Sequence, residues 1–271
     1  MSLRLALLIL PLATPACADL ALSSQVPGLD LVALTDLPAA PKDQGEPDFC
    51  SHLFVETITT PGGRDAAAKG WHVTAELPLG DLTAVSFIGH ATPATSGTCE
   101  LGAGNVGFYA GSQLVALAYG TEADALLIGS LRPFGTGLRI LSGDVVAGTV
   151  ADLSHDGSAL AVIGPATEEP VCDGSGIVPG IEGLPIDKAR DLLLQAGWQP
   201  VPGDPAQQNL GWAGELAAAG MPEVEDCSGT GFAFCSFRYS GPAGELSVIT
   251  AGEGGEDGSL PGVVRYGVDC R

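Results

Sequence analysis

The sequence is poor in positive charge. It carries 11 Lys and Arg against 32 Asp and Glu, and only three of the basic residues are lysines (Lys42, Lys69 and Lys188). A nucleic-acid-binding surface needs a basic footprint, and docking on anionic lipid by charge needs the same. Both are excluded as modes of action. Long apolar runs are also missing. Leu5 to Leu12 is the one short run near the start, and nothing after it is long and apolar enough to form a membrane helix. Several catalytic signatures are absent as well. There is no C-x-x-C, no H-E-x-x-H and no G-x-S-x-G, so a zinc ribbon, a zincin and an α/β-hydrolase elbow have no support.

What is present begins with a leader. Arg4 gives a minimal positive start, the apolar run follows, and Ala16-Cys17-Ala18 forms an A-x-A cleavage site. Residues 1–18 are read as a signal peptide, with the mature chain starting at Asp19. Lipidation at Cys17 is the alternative. Loss of Arg4 leaves ten basic residues and a formal charge of −22. Such acidity keeps a glycine-rich exported chain dispersed.

Six cysteines remain: Cys50, Cys99, Cys172, Cys227, Cys235 and Cys270. An even number in an exported chain implies disulfides, and sequence alone does not choose among the many connectivities. The preferred pairing is Cys50–Cys99 in the first half, Cys227–Cys235 across SGTGFAF, and Cys172–Cys270 tying the second half together.

PATEEP, Pro165 to Pro170, is proline-bounded and aperiodic, and divides the chain. The predicted plan is a β-rich domain over 19–164, a linker over 165–170 and a disulfide-closed α+β domain over 171–271. In the first half, apolar runs alternate with glycine-rich turns. Leu114 to Tyr119 and Ala125 to Leu131 are apolar on both parities, which predicts strands buried on both sides. Strands are also predicted at Trp71–Glu76, Ala84–Ile88, Leu138–Leu141, Val145–Val150 and Ala159–Ile163. Turns are predicted at Ser142-Gly143-Asp144 and His155-Asp156-Gly157. The predicted fold is an antiparallel sandwich or barrel.

Gly102 to Gly107 matches G-x-G-x-x-G, but a strand rather than a helix follows, so no nucleotide site is read there. Four histidines, His52, His72, His90 and His155, stand outside any catalytic motif. His72 with Glu76, and Ser86 with His90 and Asp81, are the sets that folding would have to bring together for hydrolysis.

In the second half, Ile186, Ala189, Leu193 and Ala196 recur at helical spacing. Pro185 suits the first helical position, Asp187 the first turn and Gly197 the left-handed cap. A second helix is predicted over Trp212–Ala219, then a hairpin of Phe232–Tyr239 with Glu245–Ala251 and a last strand, Val263–Asp269. The sum is one or two helices on an antiparallel sheet. Trp198, Trp212 and Tyr239 are candidate ligand contacts, with core packing as the competing role. Glu253, Glu256 and Asp257 in GEGGEDGS lack the alternating calcium-loop pattern.

On Gly183-Leu184, Ala189, Leu193 and Ala196-Gly197, the stretch Val178–Val201 resembles a PASTA module, a small βαββ unit of bacterial surface proteins. The resemblance implies peptidoglycan or β-lactam binding. Taken together, the residues predict an exported, non-enzymatic cell-envelope or periplasmic binding or accessory protein. Its partner would be an envelope protein or glycan, with no cofactor or metal. A secreted hydrolase with its site in the β domain and a calcium-dependent adhesion or stability module are the alternatives.

Overall fold

The computed structural model describes residues 20–121, 128–206, 208, 211–229, 231–255 and 257–271. The leader, residues 125–127 of the stretch Ala125–Leu131, and Glu256 lie outside the described residues; within the rest of that stretch a strand begins only at Ser130.

The first region opens with β1 (Ala21–Ser24) and β2 (Leu29–Ala33), then α1 (Pro61–Ala68). Ten strands follow: β3 (His72–Leu79), β4 (Leu82–Ile88), β5 (His90–Pro93), β6 (Cys99–Gly102), β7 (Asn105–Ala110), β8 (Gln113–Gly120), β9 (Ser130–Phe134), β10 (Gly137–Ser142), β11 (Gly148–His155) and β12 (Ala159–Ile163). One sheet has the order β1-β12-β11-β10-β9 and the other β2-β8-β7-β4-β3, with β5-β6 as a separate ribbon. All pairs are antiparallel except β1 with β12. The two sheets face each other as a sandwich and do not close into a barrel. Thr74 of β3 reaches Gly129 O at 2.7 Å, but no ladder joins the two sheets there.

The alternation of side chains along the strands sorts them into separate cores. Phe108, Ala116 and Ala118 point between the sheets and meet Ile140, Leu153 and Val162. Tyr109 and Leu117, of opposite parity, and Leu114, turned to the same side by the register irregularity at Val115, pack with Val85 and Phe87 beneath α1 and the loops before it. The strand of β8 is thus apolar on both parities because it is the middle layer of three. The start of α1 is fixed by Thr60, whose hydroxyl accepts from Gly63 N at 3.0 Å. Gly62 lies so close to Tyr109 that a Cβ would sit 2.5 Å from its ring.

The second region contains β13 (Glu168–Val171), β14 (Gly176–Pro179), α2 (Ile186–Gln195), β15 (Gln199–Pro200), α3 (Gly211–Ala218), β16 (Val224–Cys227), β17 (Cys235–Gly241), β18 (Gly244–Ala251) and β19 (Gly262–Cys270). Strands β15 to β19 form one sheet and β13-β14 a ribbon. Ile186, Ala189 and Leu193 of α2 are fully buried in the single core of this region.

Local expectations are corrected in five places. Pro185 is the cap residue, with extended backbone (ψ 143°), and not the first helical residue. Ala196 falls at the far cap, exposed and off the buried face, and Gly197 follows in the left-handed region. Val145 and Val146 are exposed in a loop that Ser142 closes onto Gly148, so β11 starts at Gly148. His155 ends β11 and does not lie in the turn. Within the stretch read as a linker, Glu168–Pro170 belongs to β13.

Disulfides join Cys50 to Cys99, Cys172 to Cys270 and Cys227 to Cys235. None crosses between the two regions.

Candidate functional site

The β9–β10 hairpin, SLRPFGTGLRI, puts two arginines into otherwise apolar strands. Register makes Arg132 and Arg139 direct cross-strand partners. Like charges placed opposite each other destabilise a sheet unless they are neutralised. On the next strand, Asp152 is the register partner of Arg139 and takes it in a fork, Nε to Oδ1 at 2.6 Å and Nη2 to Oδ2 at 3.0 Å. Arg139 is 3 % exposed and Asp152 4 %, so this pair is fully desolvated.

One carboxylate cannot balance two guanidinium groups, and the second region supplies the rest. Glu169 of β13 meets Arg132 at 3.2 Å. Glu182, before α2, lies 3.5 Å from Arg132 and 3.4 Å from Arg139. It also accepts from Thr149 Oγ1, and Tyr266 of β19 donates its hydroxyl to Glu169. Both cations lie over the Phe134 ring, Arg139 at 3.5 Å from its centroid and Arg132 at 5.4 Å. Asp152 also accepts from Ala166 N at 2.7 Å, so the chain crossing between the regions is tied to β11. Burial alone would lower the pKa of Arg132, but Glu169 and its neighbours outweigh that and raise it. Burial of the half-buried Tyr266 ring and its hydrogen bond to Glu169 raise the pKa of the phenol and hold it protonated.

A cavity of about 720 Å³ opens beside this network, between the β9–β10 turn, β11 and β13. Its volume is within the range of small-ligand sites. Phe134, Leu153, Ile163, Pro170 and Val171 give it apolar walls, and Cys172 of the Cys172–Cys270 bridge lines one end. Asp152 and Glu169 are consumed by the arginines. Glu168 and Asp173 line the same cavity, are exposed, and have no basic partner among the described residues. Cys172 and Asp173 both hold left-handed backbone, φ 54° and 56°, at the tip between β13 and β14. Such strain at non-glycine residues marks a rim whose shape is fixed by its surroundings.

The residues singled out in the sequence do not assemble into a catalytic set. His155 and Asp81 meet at 2.6 Å across the two sheets, and the other ring nitrogen of His155 faces Ala159 O at 2.9 Å. With acceptors on both nitrogens the ring is suited to the imidazolium, leaving no lone pair for a general base. Burial alone would lower its pKa, but the Ala159 carbonyl and Asp81 outweigh this and raise it. Ser86 is buried and bonded to Thr74, and His90 stands near Asp43 instead. His72 stacks on Phe54 at 4.6 Å, with its pKa lowered by burial. Glu76 caps the entry to α1, accepting from Thr59 N and Thr60 N at 2.8 and 2.9 Å. His72 and Glu76 therefore serve separate local contacts.

One group of possible metal ligands comes together among the described residues: His52, Cys99 and Asp144. It does not fit a metal. The sulfur of Cys99 is bonded to Cys50, so no thiolate is available, and one imidazole and one carboxylate are too few for a structural site. Asp144 instead accepts from Cys99 N at 3.0 Å and lies 3.3 Å from His52 Nε2, which anchors the β10–β11 loop. In GEGGEDGS, Asp257 closes a turn onto Ser259 N at 3.0 Å.

Trp198 and Tyr239 are core residues, 1 % and 0 % exposed, and offer no ring face to a ligand. Trp198 donates to Ile177 O at 2.8 Å. Tyr239 and Arg190 both donate to the buried Glu223, at 2.9 and 2.7 Å. Trp212 is half-buried, and its Nε1 has no hydrogen-bond partner among the described residues. No protein-family model, curated protein or solved structure matches this chain.

Proposed function

We propose that this chain is an exported, non-enzymatic binding or accessory protein of the cell envelope or periplasm, and that the cleft between its two regions receives its partner. The cleft carries this reading. Its walls are apolar, its rim keeps two carboxylates without a basic partner among the described residues, and both arginines of the network beside it are already matched by carboxylates, which holds the walls in place. Three disulfides support an oxidising compartment, and no helix among the described residues is long and apolar enough to cross a membrane. An envelope protein is favoured over a glycan, because Trp198 and Tyr239 are buried away from any stacking platform. The hydrolase alternative lacks a nucleophile beside a free imidazole among the described residues.

The test is site-specific photo-crosslinking in living cells. A photoreactive residue at Thr136, exposed on the cleft rim, is expected to give a discrete adduct. The same residue at Ser112, exposed in the β7–β8 turn and not lining the cleft, is expected to give none. Equal labelling at both positions, or none at either, defeats the reading. The mass of the exported chain decides the leader: a start at Asp19 supports cleavage after Ala18, and a lipid on Cys17 overturns it.

A further inference from the structure

The wall of the cleft made by β13 is a strand with only one edge in use. Among the described residues β13 pairs with β14 alone, in the register Glu168↔Pro179 to Val171↔Gly176. Gly180 N donates to Thr167 O at 2.6 Å. In an antiparallel pair, hydrogen-bonded and non-bonded positions alternate. Thr167, Glu169 and Val171 therefore turn their backbone groups toward β14, and Glu168 and Pro170 turn theirs the other way. All four residues of β13 line the cleft and none of β14 does, so the outward edge is the cleft edge.

That edge has a distinct chemistry. Glu168 offers an N–H and a C=O, whereas Pro170 has no N–H and offers a C=O only. Two acceptors against one donor call for an incoming segment rich in N–H groups. The unpaired Glu168 and Asp173 carboxylates ask for cations at the same place. Phe134, Ile163 and Val171 ask for apolar side chains. An extended strand sends successive side chains to opposite faces, so alternating basic and apolar residues satisfy both demands. A second copy of this chain is a poor occupant, since it would bring 32 acidic residues and 11 basic ones to an already acidic rim.

We propose that the cleft takes an extended, basic–apolar segment of a partner polypeptide as an added strand along the free edge of β13. This rests on the cleft being the partner site. Main-chain hydrogen bonds would give the affinity, and the carboxylates and apolar wall would select the sequence.

The mature chain is to be titrated calorimetrically with three blocked heptapeptides. The first alternates valine and lysine. The second has the same side chains with N-methyl groups on alternate backbone amides, and the third has glutamate in place of lysine. The lysine peptide is expected to bind and to slow exchange of the Glu168 amide. N-methylation on the pairing edge is expected to weaken it by about tenfold or more, the scale of one or two lost main-chain hydrogen bonds. The glutamate peptide is expected not to bind, and the double variant Glu168→Gln, Asp173→Asn to weaken the lysine peptide several-fold. Equal binding of the methylated and unmethylated peptides, with the Glu168 amide unprotected, overturns strand addition and leaves the cleft reading standing. Failure of every peptide while Thr136 still crosslinks a partner also overturns this proposal alone. Failure of the peptides together with an unlabelled Thr136 removes both.

Discussion

The two regions use similar apolar side chains and hold themselves together by different means. The first region stacks two five-stranded sheets and a helix-bearing layer, which gives it two extended cores, one on each face of β4, β7 and β8. Its single disulfide, Cys50–Cys99, sits in a small satellite cluster at the side. The second region has one core under α2 and α3 and carries two disulfides, one of which spans nearly its whole length. A smaller unit buries a smaller fraction of its surface, and cross-links offset the shortfall by restricting the unfolded chain. The seam between the regions follows a third rule. It is specified by charge, because the two facing arginines of β9 and β10 cannot be neutralised within their own sheet.

The sharpest way to break this comparison is to remove the long bridge. Cys172→Ser with Cys270→Ser opens a loop of 98 residues, and the chain-entropy argument puts the loss at about 4–5 kcal/mol. Cys227→Ser with Cys235→Ser opens only 8 residues, and about 2–3 kcal/mol is expected. In a Trp71→Phe background, tryptophan fluorescence reports the second region alone through Trp198 and Trp212. Urea unfolding should show that signal moving to lower urea while the far-ultraviolet signal of the sandwich stays put. If the two signals move together, the division into separate domains near 165–170 is wrong.

The seam comes next in size. Arg139→Met leaves Asp152 buried without its cation, and about 3–5 kcal/mol is expected to be lost. Adding Asp152→Leu should restore most of that loss, since a buried pair replaced as a whole costs little. Denaturant titration of the single and double variants checks this. A double variant no better than the single one shows that Asp152 matters chiefly for holding Ala166, and not for balancing charge.

The smallest effect is the clasp of His155 on Asp81, which lies wholly in the first region. His155 has a raised pKa, so its contribution is complete below the ordinary imidazole value of 6.5 and is lost as pH rises through the higher folded value. Asp81, lowered by its hydrogen bond to His155, keeps its charge until the pH falls below the ordinary 3.8. The melting-temperature gap between the parent and His155→Gln should therefore be widest from about pH 4 to pH 6.5 and narrow on the alkaline side. A gap that grows with pH contradicts the pairing.

Much of the architecture was legible in the sequence because it follows from local periodicity. Ile186, Ala189 and Leu193 mark one helix face before any tertiary contact is known. The two-parity apolar run of β8 likewise announced a strand covered on both sides, and the alternation of short apolar runs with glycine-rich turns announced the sandwich. The cleft was not legible in this way. Its parts stand at Phe134, Asp152, Glu168 and Asp173, and no local period connects them. A signal was still present. An arginine between Leu138 and Ile140 is a charge in the middle of a buried run, and such a charge demands a partner. Sequence says that a carboxylate must come, but only the fold says that Asp152 and Glu182 are the ones that do. The dispersal of the histidines was equally hidden, since Asp81 meets His155 and not its sequence neighbour His90.

The parallel pairing of β1 with β12 has a consequence for how the protein is made. Ala21 is bonded in register with Ala159, so the first strand of the sandwich waits for the last one. A contact of such long range closes late, after most of the intervening chain is available. During synthesis, the outer sheet would have an unfilled place until nearly the whole first region has emerged.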